Sequence, residues 1–263
     1  DISYHYSATL WFDGLQKKIA TIVKAPQEFS FLGYAPVFVP QKGNVEEEEY
    51  AEMLKSMGAE SLTRQGEEYL YLPASKEEVE SVAQLFKNKI QVVLHEQASK
   101  KMFTDTIEKE NFDVIHISSH SKSELQKAEL SGIVFSPNFA NEQEATEKND
   151  TVKQSILHLF DIYSLKIKAS LLVLSCCDTG KGKLAVGEGV IAINRAFFYA
   201  GAQNIVYTLF KVLDQSSSEL NQLFYKNIIA KHSYTKALKK AKVAMIKQGK
   251  TPVTWAGFVF MGS

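Results

Sequence analysis

Residues 170–175 read Ser-Leu-Leu-Val-Leu-Ser, and no other segment restricts the fold of this chain as tightly. Every side chain between the two serines is apolar, so a strand built from them has no face to give to water. A strand of that kind belongs in a parallel sheet lying between two layers of helices. The segment then runs straight into Cys176-Cys177-Asp178-Thr179-Gly180. In parallel α/β sheets, functional residues gather just beyond the carboxyl ends of the strands, and a pair of cysteines sits at that place here.

The rest of the chain supplies the alternation such a sheet needs. The pattern predicts a helix over 75–88, with Ser75 as N-cap and Glu78 as its capping-box partner. It continues with a strand over 90–94, a helix over 99–110, a strand over 113–118 and a short strand over 132–135. Residues 136–150, rich in Asn, Glu and Lys, carry no periodicity and read as a loop. Beyond the apolar strand come a helix over 187–200 ending at Gly201, a strand over 204–209, helices over 216–230 and 233–248, and a strand over 255–261. Upstream, residues 4–12 and 18–23 flank Asp13-Gly14 as a hairpin. Residues 31–40 form a short apolar segment, 46–57 a surface helix stopping at Gly58, and 68–72 a brief strand. The expected fold is α/β, a three-layer α/β/α sandwich with a mostly parallel central sheet over residues 33–263. Residues 1–32 read as an N-terminal β-hairpin region, the remnant of an upstream domain.

Composition narrows the function classes. The chain has 263 residues, enough for a sizeable core, and its 30 basic and 30 acidic side chains cancel. That balance gives no general pull toward nucleic acid or an anionic membrane, so neither is expected as a direct partner. No apolar run approaches the ~18 residues of a membrane span, and no basic start followed by an apolar core marks a signal peptide. The chain opens on Asp1 rather than Met, as a mature fragment or a domain of something longer does. Its two cysteines are adjacent, which excludes a disulfide framework and favours a reducing, cytoplasmic compartment.

Two strand ends carry chemistry. The strand over 113–118 runs into Ser119-His120-Ser121, and the apolar strand runs into Cys176-Cys177. A His and a Cys at one edge of a sheet suit nucleophilic catalysis: the imidazole takes the thiol proton and later gives it to the leaving amine. Cys176, one step earlier on an alternating strand, is expected to face the other way and pack in the core. His116 is read as a satisfied core histidine, and His5, His95, His158 and His232 as structural or surface residues. The glycines at 180, 182, 187 and 189, with Lys181 and Lys183, meet neither the P-loop nor the dinucleotide spacing and read as a flexible loop framing a substrate. No metal-ligand spacing occurs, so no metal or cofactor is expected.

Several ordered motifs resemble one family. They are Leu172-Val173-Leu174-Ser175-Cys176-Cys177-Asp178-Thr179-Gly180, then Gly187-Glu188-Gly189, Arg195-Ala196-Phe197 and Ala200-Gly201-Ala202. Upstream stand His116-Ile117-Ser118-Ser119-His120 and Leu72-Pro73-Ala74-Ser75 with Glu78; downstream stands Trp255-Ala256-Gly257-Phe258-Val259. Together they resemble the CHAT peptidase family, caspase-like relatives of separase, and the order His before Cys is the caspase order. The resemblance implies a caspase-like cysteine endopeptidase with Cys177 as nucleophile and His120 as acid/base. It also implies an oxyanion hole from the backbone N–H groups of Cys177 and Ser121, with Ser121 standing where the family has Gly. Phe210-Lys211-Val212-Leu213-Asp214 is similar to a separase stretch whose last Asp faces the P1 side chain, which implies cleavage after a basic residue. Asp214 equally suits the N-cap region of the helix opening at 216. The implied partners are a protein substrate and a sensor domain or protein, in bacterial defence or programmed death. The alternatives are a catalytically silent protein-interaction module and an acyltransferase using the same dyad.

Overall fold

The computed structural model describes residues 25–36, 72–124, 127–136, 155–176, 182–185, 189–210, 212 and 214–262. In chain order its elements begin with β1 (Phe31–Ala35), α1 (Pro73–Ala83), β2 (Ile90–Leu94), α2 (Lys100–Lys109) and β3 (Val114–Ser118). Next come β4 (Ser121–Lys122), β5 (Gly132–Val134), β6 (Ile156–His158), α3 (Leu159–Ser164) and β7 (Leu171–Ser175). The chain continues through β8 (Gly182–Ala185), β9 (Gly189–Ala192), α4 (Ile193–Tyr199) and β10 (Ile205–Thr208), then α5 (Asp214–Ile229), α6 (Tyr234–Lys247) and β11 (Phe258–Met261).

The central sheet has the order β11-β10-β7-β3-β1-β2. Its pairs are parallel except β10 with β11, which are antiparallel at one edge. The apolar segment is therefore β7, flanked by β3 and β10, and Leu171 to Leu174 are fully buried. Alternation of side chains sends residues to two separate cores. On one face Leu32, Ile115, Ile117, Leu172 and Leu174 pack with Phe103 and Ile107 of α2, Ile162 of α3 and Phe197 of α4. On the other, Phe31, Val114, Leu171 and Val173 pack with Val79 and Val82 of α1, Phe224 and Tyr225 of α5, and Ala241 of α6. This is the expected three-layer α/β/α sandwich.

Two glycines permit close approaches. A Cβ on Gly33 would stand 2.4 Å from Val79 Cγ1, so the missing side chain lets α1 lie directly on β1. Gly201 ends α4 at φ 115° and abuts the carbonyl oxygen of Ile167, a position closed to L side chains.

The structure differs from the sequence reading at several places. Pro73 opens α1 with Leu72 as N-cap, so Ser75 is inside the helix and no capping box forms. Pro suits that first position because it lacks the N–H that would be left over there. Within the helix expected over 187–200, residues 193–199 form α4 and residues 189–192 form β9, which pairs with β8 in a regular antiparallel ladder where a flexible loop was expected. Helix α5 opens at Asp214 rather than at 216, and β11 starts only at Phe258, after a short 3-10 turn. Strand β6 and helix α3 had no counterpart in the reading. The hairpin over 4–23, the helix over 46–57 and all but the first residue of the loop over 136–150 lie outside the described residues.

Candidate active site

Adjacent parallel strands bring the two chemical segments to one edge of the sheet. Strands β3 and β7 pair from Val114↔Leu171 through His116↔Val173 to Ser118↔Ser175. Their ladder runs one step further, because the Ser119 N–H donates to the Ser175 carbonyl at 3.3 Å. His120 follows at once and is half-buried. Its carbonyl accepts from the Val134 N–H at 3.0 Å, and the Ser119 hydroxyl donates to the Val134 carbonyl. Strand β5 therefore holds the backbone on which His120 sits. Ser121 pairs with Ile133 in the same small sheet, β4-β5-β6.

The β7 side is held likewise. Cys176 is buried in the core with Leu172 and Leu174, as its parity requires, and its thiol lies 3.6 Å from the Ile117 carbonyl. Its own carbonyl accepts from the buried hydroxyl of Thr208, the last residue of β10. Cys177 to Gly180 lie outside the described residues. Asp214, the third site residue, is the first residue of α5, which follows β10 on the same edge.

Beneath this edge lies a polar group that the sequence reading assigned elsewhere. Glu78 of α1 is fully buried, in the layer between α1, α5 and the sheet. Its Oε2 accepts from the hydroxyls of Ser118 at 3.0 Å and Ser175 at 3.2 Å. Its Oε1 accepts from Asn221 Nδ2 at 2.6 Å and lies 2.9 Å from His116 Nε2. The amide of Asn221 also donates to the Ser175 hydroxyl at 3.2 Å, and His116 Nδ1 lies 3.0 Å from the Tyr225 hydroxyl. Burial, reinforced by the Glu78 charge, holds the Tyr225 phenol well above its ordinary range. Tyr225 thus keeps its O–H, and the His116 ring lies between that hydroxyl and Glu78, with one ring nitrogen on each. His116 is a satisfied core histidine, as read.

A sequence signal for this group existed. Positions 114, 116 and 118 of β3 and 171, 173 and 175 of β7 point to one buried face, yet His116, Ser118 and Ser175 are polar. Asn221 and Tyr225 are four residues apart on the buried stripe of α5, the spacing that places two side chains together. Polar side chains on an apolar face require a buried partner, and α1 supplies Glu78.

Among the described residues no group of three or more His, Cys, Asp or Glu is gathered as a metal would need, and no helix is long and apolar enough to cross a membrane.

The strand order, with its topological switch between β1 and β3, and the two helical layers define a caspase-like α/β fold. The sequence profile of the CHAT domain matches residues 24–263, and the chain belongs to that family. Its fold is similar to that of gingipain R, an Arg-specific cysteine proteinase, with TM-score 0.52 and 9% identity over 89% of this chain and 46% of that one. It is similar also to the Saccharomyces cerevisiae separase of a separase–securin complex, with TM-score 0.54 and 12% identity over 99% of this chain and 13% of that one. At such identities the likeness is one of fold. In sequence, the chain is 28% identical over 128 residues to Tetratricopeptide repeat protein 28 of Mus musculus. It is 29% identical over 126 residues to the Homo sapiens protein of the same name. The match takes in 47% of this chain and only 5% of either relative.

Proposed function

We propose that the chain is a cysteine endopeptidase in which Cys177 attacks and His120 moves the proton. The observation that carries this reading is the register of β3 and β7. Ser118 and Ser175 are direct partners, and His120 and Cys177 each follow two residues later. Neighbouring strands run about 4.8 Å apart, so Ser118 and Ser175, from which the chain goes on to His120 and Cys177, lie side by side at one edge.

The chemistry is acyl transfer. The thiol gives its proton to the His120 imidazole, and the thiolate sulfur bonds to the scissile carbonyl carbon. Backbone N–H groups of Cys177 and Ser121 hold the oxyanion that results. As the C–N bond breaks, the imidazolium returns the proton to the leaving amine, which departs neutral. Water then attacks the thioester, its proton passing through His120 to the departing sulfur, and the acid product leaves. Asp214 supplies the carboxylate for a basic P1 side chain. The substrate is a protein, the compartment is the reducing cytoplasm, and a sensor domain or protein controls activity, as in bacterial defence or programmed death. The partial match to far longer repeat proteins supports the coupling to other domains.

The test is cleavage of a peptide library by the wild type, Cys177→Ala and His120→Ala. Turnover lost in both variants supports the reading. Turnover that survives Cys177→Ala overturns it. A wild type that binds protein but cleaves nothing favours a silent interaction module.

A further inference from the structure

We propose that Glu78 is a positioning residue for the dyad, fastening the strand ends that present His120 and Cys177; this rests on the peptidase reading. The structure gives Glu78 no contact with His120. Its hold is indirect. One oxygen, Oε2, accepts from both Ser118 and Ser175, the last paired residues of β3 and β7 and each two residues before a member of the dyad. The other oxygen binds Asn221 of α5, whose amide also reaches the Ser175 hydroxyl. Glu78 thereby joins α1, β3, β7 and α5, and α5 opens with Asp214.

A carboxylate here is a costly choice for stability alone. Taking a charge out of water carries a penalty of several kcal/mol, which well-packed apolar side chains of similar volume would avoid. What the carboxylate adds is geometry. Its two oxygens meet four groups at once, Ser118, Ser175, Asn221 and His116, so side chains from two strands and a helix are tied to one carboxylate. Ser118 and Ser175 are the last residues paired in the β3–β7 register, and a nucleophile and base lose about a hundredfold in rate for a misplacement near 1 Å. A shared acceptor under both strand ends limits that error. Placed at the last rungs, it fixes the two ends relative to each other rather than each to its own helix.

The test uses the full chain. Folding is checked by circular dichroism, and Cys177 alkylation by iodoacetamide is followed from about pH 5 to about pH 9, since the thiolate is the reacting form. Peptide fragmentation separates Cys177 from Cys176. His120→Ala is the reference and should move the alkylation profile to higher pH. Ser118→Ala and Ser175→Ala each remove one tie and leave Glu78 with its other partners. They should move the profile part of the way and lower kcat about tenfold, with KM within about twofold. Glu78→Gln, which turns one acceptor into a donor, should lower kcat further, and the serine variants carry the test if it does not fold. Ser81→Ala, whose hydroxyl donates to the Glu78 backbone carbonyl and not to its carboxylate, should match the wild type. If His120→Ala moves the profile and neither serine variant does, the positioning role is overturned and the dyad stands. If His120→Ala moves nothing, the dyad reading falls and this one falls with it.

Discussion

Thr208 donates its hydroxyl proton to the carbonyl of Cys176, so the residue just before the proposed nucleophile is held from the neighbouring strand. Thr208 is buried, and β10 ends on it. Replacing it by Val keeps the branched shape and deletes the hydroxyl, and with it this hydrogen bond to the Cys176 carbonyl. The expected loss is about 1–3 kcal/mol, read as a lower urea midpoint. Because the carbonyl that loses this bond belongs to the residue before Cys177, kcat should fall more than KM rises. An unchanged kcat in a destabilised Thr208→Val would show that this tie serves folding only.

The adjacent cysteines should behave in opposite ways. Cys176 packs with Leu172 and Leu174 against the α2–α4 layer, where a thiol acts as a small hydrophobe. Cys176→Ala should cost about 1 kcal/mol or slightly more, for the small void left behind, while peptide cleavage continues. Cys177→Ala should abolish cleavage with little change in stability. A dead Cys176→Ala beside an active Cys177→Ala would show the strand register to be wrong by one.

How much of this was legible beforehand depended on how local each signal was. The wholly apolar β7 declared a doubly covered strand, and alternation assigned Cys176 to the core. Three errors share a cause. Ser75 and Glu78 have capping-box spacing, but Pro73 pre-sets the first turn earlier, and the carboxylate meets four groups that lie far away in sequence. The glycines around residues 182–189 looked flexible because hairpin pairing is invisible without its partner strand. Asp214 was set outside its helix because local capping rules favoured a start at 216. For Glu78 the partners that decide lie far away in sequence, and for the glycines the deciding partner is a second strand, so neither shows in a short local window.

Alkaline titration should reveal the buried phenols. Burial pushes Tyr34 up to about 12, and it raises Tyr225 and Tyr234 above the ordinary phenol range as well. A group whose value is raised on folding contributes stability in full below its unfolded value, here near 10, and loses it as pH climbs through the folded value. Tm should therefore hold up to about pH 10 and fall steeply above it. Tyr34 alone would account for about 3 kcal/mol by about pH 12. The tyrosinate absorbance of these three should rise together with unfolding, and Tyr34→Phe should flatten part of the slope. Tyrosinate that appears well before unfolding would show that the phenols are open to water.

The last expectation concerns what the site cleaves. Asp214 opens α5, and a carboxylate in a first helical turn is stabilised by the helix dipole whatever else it does. If that is its whole role, Asp214→Ala costs about 0.5–1 kcal/mol of stability and leaves specificity untouched. The peptidase reading expects more. A carboxylate in a partly dehydrated pocket favours a cationic P1 side chain, and the planar guanidinium of Arg gains two parallel hydrogen bonds where the Lys ammonium acts as a point charge. The wild type should then prefer Arg over Lys, and both over uncharged residues. Asp214→Ala should lower kcat/KM for the basic substrates by about a hundredfold or more, as loss of a buried charge partner does, while cleavage after uncharged residues persists. Asp214→Asn keeps the size of the side chain and removes the charge, so its P1 preference, not its stability, is the deciding readout. A stable Asp214→Asn enzyme with unchanged P1 preference would leave Asp214 as a helix-opening residue and place the specificity pocket elsewhere.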